Sequence, residues 1–278
     1  MAGILDKQVA VITGAGRGFG KAIALRFAAE GAAVTVTART RSQIEETAKA
    51  ITARGGRALA VPGDVTRRED VARVVERTVA QFGPVSLLVS NAGHGGPFGP
   101  IGVVDPDEWW ASQALHVRAP LLFASAVLPE MHQHGGGRII IVASRGGVEV
   151  APSLSAYCVG KATQIRFAQH LAAEGQEHHV AVFAIEPGTV ITDMAESTMA
   201  SPDAQHWLPH MLASLREIKA QSDPQAGLAR CADMCVRLAS GHYDGLSGRY
   251  LTPEDDFDAL LRASPPSETQ QETLHGKR

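Results

Sequence analysis

Tyr157 and Lys161 stand four residues apart in the stretch Ser153-Leu154-Ser155-Ala156-Tyr157-Cys158-Val159-Gly160-Lys161. The stretch predicts the opening of a helix that runs through Ile165, Phe167, Ala168 and Leu171 to about Ala173. Residues four apart share a helix face, so the phenol and the amine point the same way. A free phenol, with a pKa near ~10, exchanges protons poorly at neutral pH. A neighbouring ammonium favours the phenolate and eases that exchange. Taken alone, a Tyr-x-x-x-Lys pair reads equally well as a solvated helix face. Its meaning depends on the elements around it.

A second group could hold phosphate. Gln8 to Ile12 is a short apolar run with the length and branching of a buried strand. It leads into Thr13-Gly14-Ala15-Gly16-Arg17-Gly18-Phe19-Gly20, followed by a helix with Ile23 and Phe27 on one face and Gly31 at its end. Glycines let backbone approach a pyrophosphate, and a helix N-terminus offers free N–H groups and the positive dipole end. The spacing is Gly-x-x-x-Gly-x-Gly through Gly14, Gly18 and Gly20, with Phe19 where a Gly-x-Gly-x-x-Gly turn has its second interval. Ala33 to Thr37 is the second strand and ends at Ala38-Arg39-Thr40-Arg41. An acid for a ribose 2′-hydroxyl is expected about ~20 residues past the turn. Ala38 fills that slot with no carboxylate, while Arg39 and Arg17 supply cations that suit a 2′-phosphate. These arginines also fit ordinary solvated charges at a helix entry.

Further strands are expected at 58–61, 85–89, 138–142, 180–185 and 248–251, with helices between most of them. Ser42-x-x-Glu45, Thr66-x-x-Glu69 and Asp105-Pro106-Asp107-Glu108 each place a cap three residues before a Glu. The alternation predicts an α/β fold with one doubly wound parallel sheet of about seven strands and helices on both faces. Strand ends then fall at Asp64-Val65, Asn91-Ala92-Gly93, Ala143-Ser144 and Pro187-Gly188-Thr189-Val190-Ile191-Thr192. Ligands bind at such carboxyl ends in open α/β sheets. A long helix is expected from Asp107 to about Met131. Residues 193–222 are the least regular part, read as a substrate lid or pocket wall, with a packed helical cap as the alternative.

The totals exclude several classes. The chain has 278 residues and a formal net charge of −3. That length supports one large domain, expected over residues 1–263, with a polar, disordered tail over 264–278. The near-neutral balance gives no case for nucleic acid or an anionic membrane as partner. Cys158, Cys231 and Cys235 form no Cys-x-x-Cys. With no apparent signal peptide or apolar span, a reducing cytoplasm is the expected compartment. His132 and His134 lack a third ligand at metal spacing, so no metal is expected.

Together, Thr13-Gly14-x-x-x-Gly18-x-Gly20, Asp64-Val65, Asn91-Ala92-Gly93, Ser144, Tyr157-x-x-x-Lys161 and Pro187-Gly188 resemble the short-chain dehydrogenase/reductase family, in the family's order, over residues 5 to about 252. The resemblance implies a Rossmann-like fold and an NADP(H)- or, less in keeping with the arginines, NAD(H)-dependent oxidoreductase acting on a small carbonyl or secondary alcohol. It implies Tyr157 as general acid/base, Ser144 as donor to the reacting oxygen, and Lys161 as the cation that lowers the Tyr157 pKa and holds the nicotinamide ribose. Asp64 and Val65 would flank the adenine, Asn91, Ala92 and Gly93 the central cleft, and Pro187, Gly188, Val190 and Thr192 the nicotinamide end. A homodimer or homotetramer follows from the same resemblance.

Three positions depart from the family. Ser90 stands where the family usually has the first of two Asn residues. His116 stands where it places a catalytic Asn thought to hold a water next to the lysine. A histidine there could hold the same water or pass the proton, since it titrates near ~6.5 when unperturbed. Thr252-Pro253-Glu254-Asp255-Asp256 replaces the usual Gly-Gly after the last strand. The rival readings are an enoyl reductase, against which the Tyr–Lys spacing argues, and a catalytically silent NADP-binding sensor or scaffold.

Overall fold

The computed structural model describes residues 3–263. The expected disorder of 264–278 lies outside the described residues. Seven strands form one parallel sheet in the order β3-β2-β1-β4-β5-β6-β7. They are β1 (Val9–Thr13), β2 (Ala33–Thr37), β3 (Arg57–Ala60), β4 (Leu87–Ser90), β5 (Gly137–Val142), β6 (Val180–Ile185) and β7 (Tyr250–Leu251). All residues of β1, β2, β4 and β6 are buried. Their near-continuous Val, Ile and Leu content follows, since a parallel sheet is covered on both faces. β1 pairs with β2 from Val9↔Ala33 and with β4 from Ala10↔Leu87, so the chain reverses direction of travel across β1. A crevice opens outside the carboxyl ends of strands at such a point.

On one face lie α1 (Gly18–Ala29), α2 (Arg41–Thr52) and α10 (Pro224–Ala239), on a core that includes Ile12, Phe27, Val36 and Phe183. On the other lie α3 (Arg68–Phe82), α5 (Ala119–Gln133) and α6 (Ser155–Gly175), on a core that includes Val11, Leu88, Phe123 and Ile141. Asp105 caps α4 (Pro106–Gln113) as expected, accepting from the N–H groups of Asp107 and Glu108. The other two expected caps differ. Helix α2 already begins at Arg41, with Thr40 before it, so Ser42 lies inside the helix. Before α3, Thr66 instead donates through its N–H and hydroxyl to Asp64, in a local turn that delays the helix to Arg68.

Residues 193–222 are regular, contrary to expectation. They form α7 (Asp193–Ala200), α8 (Pro202–Trp207) and α9 (Pro209–Gln221), each ended by a break near a proline or a cap. Ala204, Leu208 and Leu212 bury themselves with Leu154 in a third apolar cluster, against which Phe98, Tyr157, Met199 and Trp207 pack. A final helix, α11 (Phe257–Ala263), follows a turn closed by Thr252 N–H donating to Asp255.

The long helix expected from Asp107 runs without a break from Pro106 to Gln133 but changes its winding on the way. Between α4 and α5, Ala114–Arg118 form a π turn, closed by Ala119 N–H donating to the Ala114 carbonyl. Pro120 supplies a reason. It has no N–H for the carbonyl four residues back, and its ring crowds that carbonyl. That carbonyl belongs to His116. Gly160 of α6 admits the widened turn: a Cβ there would stand 2.6 Å from the His116 Cβ.

Candidate active site

The cleft at the strand ends holds about 550 Å³. Gly14, Arg17, Gly18, Phe19, Arg39, Asp64, Val65, Asn91, Ala92, Gly93 and Thr192 line it, as the sequence predicts. Gly20 lies beneath its floor, where a Cβ would sit 2.5 Å from both the Asn91 amide nitrogen and the Gly14 carbonyl. Gly14 has a φ of +64°, which glycine adopts freely. Asn91 ties this floor together: its backbone N–H donates to Thr13 Oγ1, and its side chain to the Thr13 carbonyl at 2.8 Å. Val190 turns away and packs against Gly227 of α10. Pro187 and Gly188 stand outside the cleft wall.

The cleft fits a dinucleotide on two grounds. Helix α1 has no side-chain cap and no acid in its first turn, so its leading N–H groups are open to an anion. The glycines bring backbone to the surface where a side chain would clash. Gly14, Gly18 and the α1 N-terminus would hold the pyrophosphate, and Asp64, Val65 and Arg39 the adenosine end.

The two cations differ. Arg17 pairs with Asp193, the first residue of α7, at 3.1 Å, with both side chains more than half exposed. Arg39 makes no ion pair among the described residues. Its charge is felt at His94, whose pKa is lowered first by burial and then by Arg39. Arg41, by contrast, pairs along its own helix with Glu45.

Beyond the cleft wall, three rings lead inward. His94 lies 5.5 Å from His116, and His116 lies 5.5 Å from Tyr157 in an edge-on arrangement. Ser144 follows β5, and its Oγ accepts from Gly146 N–H at 3.2 Å, which leaves the hydroxyl proton to be donated. Burial raises the Tyr157 pKa, a hydrogen bond from Ser144 opposes the rise, and the charges of Cys158 and Glu186 add to it. Lys161 is 4% exposed. Its Nζ donates to the Val142 carbonyl at 2.6 Å and to Gln164 Oε1 at 3.0 Å, and lies 5.6 Å from the Tyr157 ring centre. Burial brings the Lys161 pKa down to about 7. The only opposition to the rise at Tyr157 comes from Ser144, and the Lys161 ammonium is turned toward Val142 and Gln164.

His116 is fully buried, and its Nε2 lies 3.0 Å from the His94 carbonyl. A carbonyl only accepts, so Nε2 carries the proton. Nδ1 is then an acceptor, buried and without a partner. Burial first, then the Lys161 and His94 charges, bring the His116 pKa down to about 3. The ring does not titrate near ~6.5 as a free imidazole does. It is a neutral donor and acceptor here.

Phe98 and Met194 also line the cleft. Trp109 donates to Ser155 Oγ, Glu149 faces Arg145 at the surface, and Trp207 packs in the cap. His132 stacks on His178 with ring centres 3.9 Å apart. Sequence reasoning missed His94, Gln164 and Asp193. The spacing of Gln164, three residues after Lys161, was the one available signal.

Known proteins resemble this chain over most of its length. Residues 8–203 match the family model described as short chain dehydrogenase. The 7alpha-hydroxysteroid dehydrogenase of Escherichia coli K12 is 30% identical over 248 residues, covering 89% of this chain and 93% of that protein. An A-factor type gamma-butyrolactone 1'-reductase (1S-forming) of Streptomyces virginiae is 33% identical over 233 residues, covering 83% and 91%. Among solved structures, a 7alpha-hydroxysteroid dehydrogenase complexed with NADH and 7-oxo glycochenodeoxycholic acid superposes with a TM-score of 0.77 at 28% identity, covering 89% and 93%. A candidate gluconate 5-dehydrogenase from Beutenbergia cavernae, with NADP bound at low occupancy, gives 0.76 at 29% identity, covering 92% and 98%.

Proposed function

The chain belongs to the short-chain dehydrogenase/reductase family, and from that premise we propose that it is an NADP(H)-dependent enzyme interconverting a ketone and a secondary alcohol on an apolar substrate. As a family member it is an NAD(P)-dependent oxidoreductase acting on CH–OH or C=O. The reading is supported by one observation: Ser144, Tyr157 and Lys161 lie near one another, and His116 and His94 link Tyr157 to the wall of a cleft whose open helix start suits a dinucleotide.

When bound, the nicotinamide supplies the hydride. The chain's own residues handle the oxygen. Tyr157, kept a phenol by its raised pKa, gives its proton to the carbonyl oxygen in reduction. In oxidation it takes the proton back. The Ser144 hydroxyl, with its oxygen held by Gly146 N–H, donates to the same oxygen as charge develops there. Lys161 stabilises that charge from behind the phenol. The apolar cluster of Phe98, Leu154, Met199 and Trp207 beside Tyr157 excludes water and favours a hydrocarbon framework over a sugar. Arg39 supports NADP(H), because the second-strand corner has a cation and no acid.

No helix among the described residues is long and apolar enough to cross a membrane. Exposed Trp110, Leu121 and Val159 on α4, α5 and α6 support the homodimer or homotetramer, and a cytoplasmic setting goes with three free cysteines.

The test is the initial rate of NADPH and NADH oxidation across cyclic ketones, aryl ketones, 7-oxo bile acids and keto-sugars. Faster turnover with NADPH and an apolar ketone is expected. Preference for NADH or for keto-sugars would overturn the corresponding part, and no turnover with any ketone would overturn the whole.

A further inference from the structure

We propose that Gln164 is a positioning residue of this site: its side chain ties the Lys161 ammonium to the His116 backbone carbonyl and so sets where the lysine charge sits during proton transfer. The inference rests on the reading that Tyr157, Ser144 and Lys161 carry out that transfer.

The geometry begins at Pro120. Without an N–H, Pro120 cannot satisfy the carbonyl four residues before it. That carbonyl, of His116, sits in the π turn next to α6. Gln164 Nε2 donates to it at 2.8 Å, and Gln164 Oε1 accepts from Lys161 Nζ at 3.0 Å. An ammonium only donates and a carbonyl only accepts, so the carboxamide has one orientation and cannot flip. His116, Lys161 and Gln164 are 0%, 4% and 2% exposed. A buried polar group without a partner is costly, so each end of the bridge holds the other in place.

The bridge has a chemical consequence. A carboxamide fixed in this way accepts from the lysine without passing a proton on. It therefore fixes charge and place rather than connecting Lys161 to solvent. The titratable groups facing the ammonium are Tyr157, one turn earlier on α6, and His116 on the π turn. Among the described residues, only Gln164 and the Val142 carbonyl bond to it. Losing one of two acceptors disfavours the charged lysine, and a carboxylate in the same place favours it.

The experiment follows Lys161 by NMR of the full chain carrying 13Cε-lysine. There are six lysines, and Lys161→Met assigns the signal. Relative to wild type, Gln164→Leu should lower the titration midpoint of Lys161 by about one pH unit. Gln164→Glu, nearly isosteric, should raise it. The alkaline limb of the kcat/KM profile for reduction of the fastest ketone in the panel should move the same way in each variant, because it reports loss of the ammonium. A purely structural role would not give shifts of opposite sign. An unmoved Lys161 midpoint would overturn the proposal, and so would a moved midpoint with an unmoved kcat/KM profile. If Gln164→Leu does not fold, Gln164→Glu decides alone. The functional reading fails separately, when Tyr157→Phe turns over like wild type, and the lysine titration does not depend on that result.

Discussion

The cofactor half and the catalytic half of this molecule handle polarity in opposite ways. At the glycine turn, binding would be arranged by backbone: the uncapped start of α1, Gly14 at positive φ, and Asn91 pinning the floor. The charged side chains there, Arg17, Asp193 and Arg39, are exposed. Across the switch point, His116, Lys161 and Gln164 are buried together, with few hydrogen bonds to spare. Backbone donors cost little to keep facing water, whereas buried side chains gain strength from desolvation and pay for it in pKa. Thus the cleft side should tolerate change in small steps, and the α6 side should fail abruptly.

The largest break is at Tyr157. Tyr157→Phe keeps the ring that packs edge-on with His116 and against the cap, and removes only the hydroxyl. Turnover should fall by roughly 10²–10⁴-fold or more, the span of a lost acid–base group. Affinity for NADP(H), measured by fluorescence titration, should stay within about twofold, since Tyr157 does not line the cleft and the pyrophosphate would meet backbone N–H groups. Retained turnover would remove Tyr157 from the chemistry.

Lys161 gives a second contrast, in stability. Its ordinary pKa of 10.5 falls to about 7 in the folded protein. Between those two values the unfolded chain holds the proton and the folded chain does not. The unfolded state then binds more protons, so this group makes stability rise with pH through that window. Lys161→Met lacks the term. Compared with the variant, wild type should therefore gain on the order of a few kcal/mol in unfolding free energy from pH 7 to pH 10. Paired urea titrations at several pH values measure it. A constant difference between the two proteins would show that burial does not depress this lysine.

Much of the cleft was legible because its signals are local. A strand, a run of glycines and a helix start lie within twenty residues of one another, and the parallel sheet follows from alternation. The same holds for Asp105 and Pro106 at the start of α4. What stayed hidden depends on which partner a side chain takes and on how deeply it is buried. Thr66 reads as a cap until Asp64 claims its hydroxyl. The π turn needs Pro120 on one helix and Gly160 on another. His116 reads as a titrating residue until burial brings its pKa down to about 3, which no spacing records. The helices of 193–222 were only the alternative reading, because their amphipathic faces are short and broken by Pro202 and Pro209.

The smallest expected effect lies back at the exposed rim, and it separates two arginines that look alike in sequence. Arg17 already has Asp193 for a partner, across the mouth of the cleft. An exposed pair of this kind contributes about 0–1 kcal/mol, so a phosphate could displace it, but Arg17 must give up one anion to meet another. Arg39 has no ion partner among the described residues and stands beside Ala38, where an NAD-type acid would sit. Its interaction with a 2′-phosphate is therefore the less opposed of the two. Arg39→Ala should weaken NADP(H) by roughly tenfold, the size of one partly solvated charge contact, and leave NAD(H) within about twofold. Arg17→Ala should weaken NADP(H) less than Arg39→Ala does, because Arg17 must leave Asp193 to reach a phosphate and so gains less from it. Dissociation constants for both cofactors and both variants decide the order. Equal loss of NADP(H) and NAD(H) in Arg39→Ala would mean that this guanidinium meets a group common to both cofactors, and the second-strand corner would then carry no preference for NADP(H).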